Sequence, residues 1–336
     1  MAEKPNLTDY VSLIITLFEL FKQHRDEHCT PKQGRPFTYT EEMFIIFFML
    51  MQFRRIHTHK AKWRWLNKHP EMLEMLGWNE VPHRTTIARR YKTLYEVVQE
   101  FILFVGQYAP ELDEQFSQAH LVEDESLFKA LGPVWHQSDR KEGRIPEKLR
   151  NLDTDATWSK SGYHGWVYGY GLHMTCNEEA FPAMIQIETA SVSESQILED
   201  KEPVILERLQ PQTLAADNAY TKAMRIRNWA KRGVALLTPA LKWTKGRFAQ
   251  AYHRFIKQPD VREHLAKRRT SVEPLFDLIA QVIGTNAKQK QLPVQRIDNV
   301  RSCLALAVLS VQIAMIANSI WDLPHRNISE MTTAFQ

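Results

Sequence analysis

The sequence predicts an α/β protein, in which a mixed five-stranded sheet is flanked by helices and preceded by an all-helical N-terminal region. Residues 1–112 show the three-to-four spacing of apolar side chains that is typical of helices. Short β-rich segments begin after residue 112, and the later ones alternate with helical segments. The length of 336 residues, with 44% apolar and 24% charged residues, is ordinary for a folded chain of about two domains.

The N-terminal region begins with two predicted helices. Residues 8–25 carry apolar side chains three to four positions apart, after a possible cap at Thr8. Thr40 then precedes two glutamates, which favour the positive end of a helix dipole. The helix that starts there, at about 41–55, is apolar on nearly all sides, so we expect it to be central.

Residues 60–98 are predicted to form three helices joined by tight turns, with Gly77 near the end of the second and Pro82 just before the third. One face of the third helix is apolar and the other is basic and polar. The segment resembles a helix-turn-helix unit with residues 84–92 as its recognition helix. An ordinary helical bundle with a solvated basic face fits these residues equally well. The candidate DNA contacts in this segment are Arg84, Thr85, Arg89 and Lys92.

The second part of the chain supplies the predicted sheet. Its strands are expected at residues 120–124, 166–175, 183–189, 213–216 and 234–238. Its helices are expected at residues 195–209, 219–231, 261–283 and 295–320. Between the first two strands lies a stretch of about 40 residues, 127–165, rich in aromatic and charged side chains. Unstructured stretches of this length in compact domains are usually functional or disordered, and its tryptophans favour function.

Charge, cysteine content and hydropathy narrow the function classes. The net charge of residues 111–220 is −11 and that of residues 221–301 is +13, which indicates one region for cations and another for a polyanion, although two solvated faces would look the same. Three widely spaced cysteines argue against a disulfide framework or a cysteine-based zinc site and favour a reducing cytoplasm.

No signal peptide is predicted. Residues 303–321 carry no charge, but their alanines and polar residues favour a buried core helix over a membrane span.

Two carboxylates follow predicted strands. Asp124 and Asp217 each stand where a strand is expected to end, and ligands of open α/β sheets bind beyond the carboxyl ends of strands. Two such carboxylates can share a Mg²⁺ ion. The best candidate for a third is Glu273, on a predicted helix one turn after Arg269. Each acid alone would more often be an ordinary surface residue, so the prediction depends on the presence of all three acids.

Four stretches resemble the DDE transposases of bacterial insertion sequences. They are VEDESLFKALG, IPEKLRNLDTDATWSKSGYHGWVYGYGLH, LAADNAYTK and RRTSVEPLFDLI, which together span about residues 119–283. In the same order, they are similar to four parts of the family pattern. These are the Asp at the end of the first strand, the basic loop with the second strand, the Asp-x-x-Tyr motif, and the Arg-containing helix that carries the third acid. The N-terminal GRPFTYTEE and VPHRTTIARRYKTL are similar to the family's DNA-binding region.

The resemblance implies an RNase H-like catalytic domain at 113–325, a DNA-binding region at 1–112 with its helix-turn-helix-like segment at about 60–98, and a tail at 326–336. The catalytic residues and metal ligands would be Asp124, Asp217 and Glu273. The metal would be Mg²⁺, with Mn²⁺ as a substitute. The enzyme would cleave transposon ends and join them to target DNA by two-metal phosphoryl transfer. The partners would be double-stranded DNA at both steps and further copies of the chain in a homo-oligomer on DNA. No membrane partner is expected, and the location would be the cytoplasm. Further implied DNA contacts are Arg144, Arg150, His164, Arg268 and Arg269.

Geometric expectations follow for this triad. The three carboxyl groups should converge within roughly 4–8 Å, and at least one should have a raised pKa without metal. Glu123 should face away from Asp124 because successive side chains of a strand alternate, so its replacement should be mild, although a slip of one residue would bring Glu123 or Glu125 into the site instead.

The chain also departs from the family pattern. Some relatives place a Tyr seven residues before the Glu and a Lys seven after it, whereas this chain has Ala266 and Ala280, with Lys288 and Lys290 as candidates for the Lys role. Two alternatives remain open. The chain could be a metal-dependent nuclease without strand transfer, or a DNA-binding regulator with an inactive catalytic domain.

Overall fold

The computed structural model describes residues 4–28, 38–162, 165–239 and 246–336. Its contacts divide the chain into two compact units. We call the described parts of residues 1–105, 129–155 and 278–336 the helical unit, and those of residues 106–128 and 156–277 the sheet unit. The functional division at residue 112 that the sequence suggests stays a prediction.

The helices of the described residues, in chain order, are α1 (Leu7–His28), α2 (Glu41–Phe53), α3 (His59–Lys68), α4 (Glu71–Met75), α5 (Arg84–Lys92), α6 (Tyr95–Tyr108), α7 (Gln137–Lys141), α8 (Glu194–Val204), α9 (Ala223–Lys231), α10 (Arg247–Phe255), α11 (Pro259–Ile283), α12 (Ile297–Ile320) and α13 (Ser329–Phe335). The strands are β1 (His120–Lys129), β2 (Thr157–Ser161), β3 (Gly165–Asn177), β4 (Pro182–Thr189), β5 (Thr213–Ala215) and β6 (Ala235–Leu237).

The apolar helix α12 is the core of the helical unit, where it packs against α1, α2 and α5. Among the described residues it is the one helix long and apolar enough to cross a membrane, and most of it is buried inside the protein. Some of its buried polar side chains have partners: Ser302 donates a hydrogen bond to the Tyr91 carbonyl, and Gln312 donates one to the Ile102 carbonyl at 3.0 Å. The prediction of a buried core helix is therefore confirmed.

The last eleven residues also pack in the helical unit. They include α13, which contacts α1 and α2. Phe335 is fully buried, with its ring centroid 5.2 Å from that of Phe53 and 5.9 Å from that of Tyr10. Aromatic pairs at these separations stabilise a core beyond the area that they bury. The predicted tail is therefore helical and anchored.

The sheet unit contains a mixed sheet with the order β2-β3-β1-β5-β6, in which β4 also pairs with β3. β1, β5 and β6 are parallel, whereas β3 pairs antiparallel with β2 and β4. The mixed α/β architecture is confirmed and is consistent with an RNase H-like core. The prediction of five strands missed β2, whose sequence TWSKS lies inside the stretch that was expected to be a loop. β2 has little apolar character of its own and is held by its pairing with the start of β3.

The first strand is longer than predicted, and this changes the position of Asp124 within it. β1 continues to Lys129 because the pattern of buried side chains resumes at Ser126, Leu127 and Phe128. Leu127 packs in a cluster with Val167 and Ala190. Asp124 therefore lies in the middle of a strand, and the expectation that it ends one was wrong.

Candidate active site

The parallel pairing of β1 with β5 brings Asp124 and Asp217 together. Leu121 is aligned with Leu214, and Val122 with Ala215. The same register carried two residues further places Asp124 beside Asp217, which directly follows β5. The two carboxyl groups are close enough for Asp217 to raise the pKa of Asp124. The sheet thus brings two of the three predicted acids to one place, although they are 93 positions apart in the chain.

Arg268 is the direct partner of Asp124. Its guanidinium, on α11, donates a hydrogen bond to Asp124 Oδ2 in an ion pair whose side chains are only 13% and 20% exposed. The other oxygen, Oδ1, accepts from the backbone N–H of Glu125 at 3.0 Å. The arginine that the sequence suggested as a DNA contact therefore orients Asp124.

The electrostatics of Asp124 are dominated by burial. Burial raises the pKa of Asp124 to about 6, against the opposing effect of Arg268 and the backbone hydrogen bond. Asp217 and Glu123 add smaller upward contributions, because a neighbouring negative charge disfavours ionisation. The expectation of a raised pKa is confirmed, but the main cause is burial and not repulsion between the carboxylates.

Two further carboxylates lie near this site: Glu125, which the sequence suggested only as an alternative to Asp124, and Glu194, which sequence reasoning missed. Glu194 begins α8 directly after its cap Ser193, which accepts a hydrogen bond from the backbone N–H of Gln196. The Glu194 carboxyl group lies close enough to those of Asp217, Glu125 and Asp124 for their charges to act on it. Burial is the largest cause that raises the pKa of Glu125 to about 8 and that of Glu194 to about 9, followed for Glu194 by repulsion from Asp217 and Glu125.

The third predicted acid is not joined to the other two. Glu273 is exposed on α11, five residues after Arg268 and therefore roughly 140° further around the helix. Within the part of the chain that the structure describes, no hydrogen bond or ion pair links Glu273 to Asp124 or Asp217. Arg269 is exposed as well. The roles of Glu273 and Arg269 stay predictions.

Glu123 faces away from Asp124, as the alternation of strand residues predicts, but it is no surface residue. It is completely buried and pairs with Lys201 of α8, which is also completely buried, at 2.7 Å. Lys201 donates to both oxygens of the Glu123 carboxylate, and Thr175 of β3 donates a third hydrogen bond to it at 2.5 Å. We therefore expect its replacement to destabilise the fold, because removing one partner of a buried ion pair leaves the other unpaired.

The predicted recognition helix coincides with α5. Arg84, Thr85, Arg89 and Lys92 are all exposed, while Ile87 and Tyr91 are buried. Arg89 and Lys92 line a cavity of 630 Å³ in the helical unit, together with Arg301 and two acidic residues. This exposed basic face is suited to a polyanion.

The other predicted DNA contacts are placed differently. Arg144 pairs with Asp139 at 2.7 Å, and both lie in the long segment between β1 and β2. Arg150 is exposed in the same segment. His164 lies outside the described residues. None of these placements tests a contact with DNA.

The acids of the site have the right chemistry for a hard divalent cation, which prefers carboxylate oxygens. Glu125 Oε1 and Glu194 Oε2 are buried and have no hydrogen-bond partner, so at least two lone-pair-bearing atoms here are unsatisfied. Over residues 4–28, 38–162, 165–239 and 246–336, however, no group of three or more His, Cys, Asp or Glu side chains forms a ready metal site. The carboxylates therefore suit a divalent cation in the type and the charge of their donor atoms.

A family described as "Transposase DDE domain" matches residues 123–294, just over half of the chain. The matched range contains Asp124, Asp217 and Glu273, as well as Glu125 and Glu194. No curated protein and no solved structure matches the chain.

Proposed function

Because the chain belongs to the transposase DDE domain family, we propose that it cleaves DNA at the ends of a mobile element and joins those ends to target DNA by metal-dependent phosphoryl transfer. The reaction uses Mg²⁺, for which Mn²⁺ can substitute. The substrates are double-stranded DNA at both steps, and two or more copies of the chain act together on them in the cytoplasm. The sheet unit belongs to an RNase H-like catalytic domain.

The observation that supports this proposal is the parallel pairing of β1 with β5, whose register, continued two residues beyond Val122 and Ala215, aligns Asp124 with Asp217. Phosphoryl transfer needs little covalent chemistry from the protein, so catalysis depends on positioning and on charge. Two adjacent carboxylates, one within β1 and one directly after β5, meet both needs, and the raised pKa of Asp124 reflects a buried negative charge that a cation would stabilise.

Each residue of the site has a distinct role in this proposal. Asp124 and Asp217 hold the divalent ions, with Glu273 of α11 as the third ligand. Arg268 keeps the Asp124 carboxyl in place in the free protein and contacts DNA phosphate when DNA displaces it. When bound, the divalent ions supply Lewis-acid activation of the attacking oxygen and neutralise charge on the phosphate.

DNA binding is assigned to the helical unit, with α5 as the recognition helix. Changing both Arg89 and Lys92 to Ala should weaken binding to the ends of the element. It should also reduce the slope of the logarithm of the binding constant against the logarithm of the salt concentration, by about one for each lost phosphate contact. Filter binding or fluorescence anisotropy at several salt concentrations measures both quantities. Lys4→Ala is the control, because it removes an exposed positive charge of the same unit beside α13. Equal losses in Lys4→Ala and the α5 variant would contradict the assignment.

The experiment that tests the function uses the full chain and labelled DNA from the regions that flank its reading frame. With Mg²⁺ present, the proposal predicts cleavage at a defined end and joining of the released 3′-hydroxyl to a second DNA. Cleavage without joining would instead identify a nuclease, and sequence-specific binding without cleavage would identify a regulator. Both results would overturn the proposal.

A further inference from the structure

Helix α11, which carries Arg268, is held by a glutamate in the turn between β3 and β4. The side chain of this residue, Glu178, is only 12% exposed. His264 Nδ1 lies 2.5 Å from Glu178 Oε1, and Lys267 Nζ donates a hydrogen bond to Glu178 Oε2 at 3.0 Å. The backbone carbonyl of Glu178 accepts another hydrogen bond, from Ser271 Oγ at 2.6 Å. One residue therefore binds α11 at three points along about two turns of the helix.

The three contacts lie on the side of α11 that also carries Arg268. Residues 264, 268 and 271 are three or four positions apart, so their side chains follow one another along one side of a helix. Arg268 is the residue on this side that donates to Asp124 Oδ2. The contacts with Glu178 come both before and after Arg268 in the chain. They therefore oppose sliding and rotation of α11 over Asp124.

The turn itself is fixed by Asn177, which is 3% exposed. The Asn177 side-chain oxygen accepts hydrogen bonds from the backbone N–H groups of Glu179 and Phe181, at 3.0 and 2.8 Å. Its side-chain nitrogen donates to the carbonyls of Gln115 and Ser117, at 2.8 and 3.1 Å. A buried amide whose hydrogen bonds are satisfied makes its surroundings rigid, so the turn is a firm support for α11.

Two stacked histidines connect the same part of α11 to the strands of the site. The ring centroids of His264 and His120 are 4.0 Å apart, and the ring planes are inclined by 20°. His120 begins β1, and its Nδ1 lies 3.0 Å from the side-chain oxygen of Thr213, which begins β5. The pairing of these two strands, continued two residues, aligns Asp124 with Asp217. α11 is thus held against β1 as well as against the turn.

We propose that Glu178 is a positioning residue for DNA cleavage, which holds α11 so that Arg268 keeps the Asp124 carboxyl in place. This inference rests on the proposed function, because Glu178 acts on the same centre through Arg268. A displacement of about 1 Å in a reacting group can lower a rate by roughly 100-fold. A contact that fixes the helix can therefore matter for cleavage without touching DNA.

The test compares Glu178→Gln with Glu263→Gln in the full chain. Both changes remove a carboxylate that pairs with Lys267, but Glu263 lies four residues earlier on α11, so its ion pair stays within the helix. Glu178→Gln should lower the single-turnover cleavage rate at saturating enzyme by roughly 10–100-fold and leave the half-saturating enzyme concentration unchanged. Glu263→Gln should cleave like the unaltered chain. Glu178→Asp keeps the charge and should recover part of the rate.

A double variant shows whether Glu178 acts through Arg268. Arg268→Gln removes the partner of Asp124, so it should lower cleavage by itself. Because Glu178 acts through this arginine, adding Glu178→Gln to Arg268→Gln should lower the rate by less than about twofold further. Equal losses from Glu178→Gln in the two backgrounds would overturn the inference.

Hydrogen exchange of the chain without DNA gives a readout that needs no cleavage. Glu178→Gln should increase amide exchange in peptides from residues 259–277 and leave α8 unchanged, whereas Glu263→Gln should change neither. Unchanged exchange in α11 of Glu178→Gln would overturn the inference. Should Glu178→Gln unfold, His264→Phe and Lys267→Met each remove one of its contacts, and full cleavage rates in both would overturn the inference.

The outcomes separate this inference from the proposed function. If the unaltered chain does not cleave its DNA, the proposed function fails and the inference fails with it. If the unaltered chain cleaves and Glu178→Gln cleaves at the same rate, the inference fails alone.

Discussion

Asp217→Asn is expected to lower DNA cleavage by roughly three orders of magnitude or more, while the fold and DNA binding persist. The change removes a negative charge and hardly alters volume. The hydrogen bond that Asp217 accepts from the backbone N–H of Ala219, at 2.7 Å, can also be accepted by the Asn side-chain carbonyl. The local turn should therefore survive, and the loss should reflect chemistry. Single-turnover cleavage of labelled DNA, at saturating enzyme, measures the effect.

Asp200→Asn is the matched control, because Asp200 is exposed on α8 and hydrogen-bonds to Gln196. Its cleavage rate should stay within about twofold of the unaltered chain, as for surface changes away from a site. Asp124→Asn should reduce cleavage as strongly as Asp217→Asn, but it also leaves Arg268 without its carboxylate partner. Some loss of stability is therefore expected for Asp124→Asn, and Asp217→Asn is the cleaner test. Cleavage by Asp217→Asn at the rate of the Asp200→Asn control would contradict the assignment.

The largest expected effect on stability is at Glu123. Glu123→Gln should lower the free energy of unfolding by about 3–5 kcal/mol, because it leaves the charge of Lys201 buried and unpaired. Equilibrium unfolding in urea or guanidinium chloride measures the change. Lys201→Met should have a comparable effect, since it leaves Glu123 buried without its cation.

The double variant Glu123→Gln, Lys201→Met separates the ion pair from packing. It removes both charges, so its stability should be closer to that of the unaltered chain than the sum of the single effects predicts. Glu207→Gln, which breaks the exposed ion pair with Arg232, should leave the unfolding midpoint unchanged. Additive losses in the double variant would show that the two residues do not act as a pair.

Local sequence patterns predicted the helices that have a clear breaker residue or a distinct apolar pattern. Pro82 and the basic and apolar faces that follow it predicted the recognition-like helix at residues 84–92, which are the bounds of α5. The uncharged stretch at 303–321 predicted the core helix α12. In both cases the information lies within a few turns of chain, because caps, breakers and apolar periodicity act locally.

Other features depend on partners that are distant in the chain. β2 was missed because its polar sequence forms a strand only through its pairing with β3. The alternation in β1 predicted that Glu123 faces away from Asp124, but nothing in the sequence linked Glu123 to Lys201, 78 positions later. Glu194 was not singled out, because it lies one residue before the helix predicted at 195–209 and only the folded chain brings it near Asp217. Spacing along the chain carries no signal for such contacts.

The most direct test of the central claim, that Asp217 holds a catalytic metal ion, is the metal dependence of cleavage by Asp217→Cys. A thiolate is a poor ligand for Mg²⁺ and a better one for softer ions such as Mn²⁺. We expect Asp217→Cys to cleave DNA very slowly in Mg²⁺ and to recover activity in Mn²⁺, whereas Asp200→Cys should behave like the unaltered chain in both. Cleavage by Asp217→Cys in Mg²⁺ at the rate of the unaltered chain would contradict the claim.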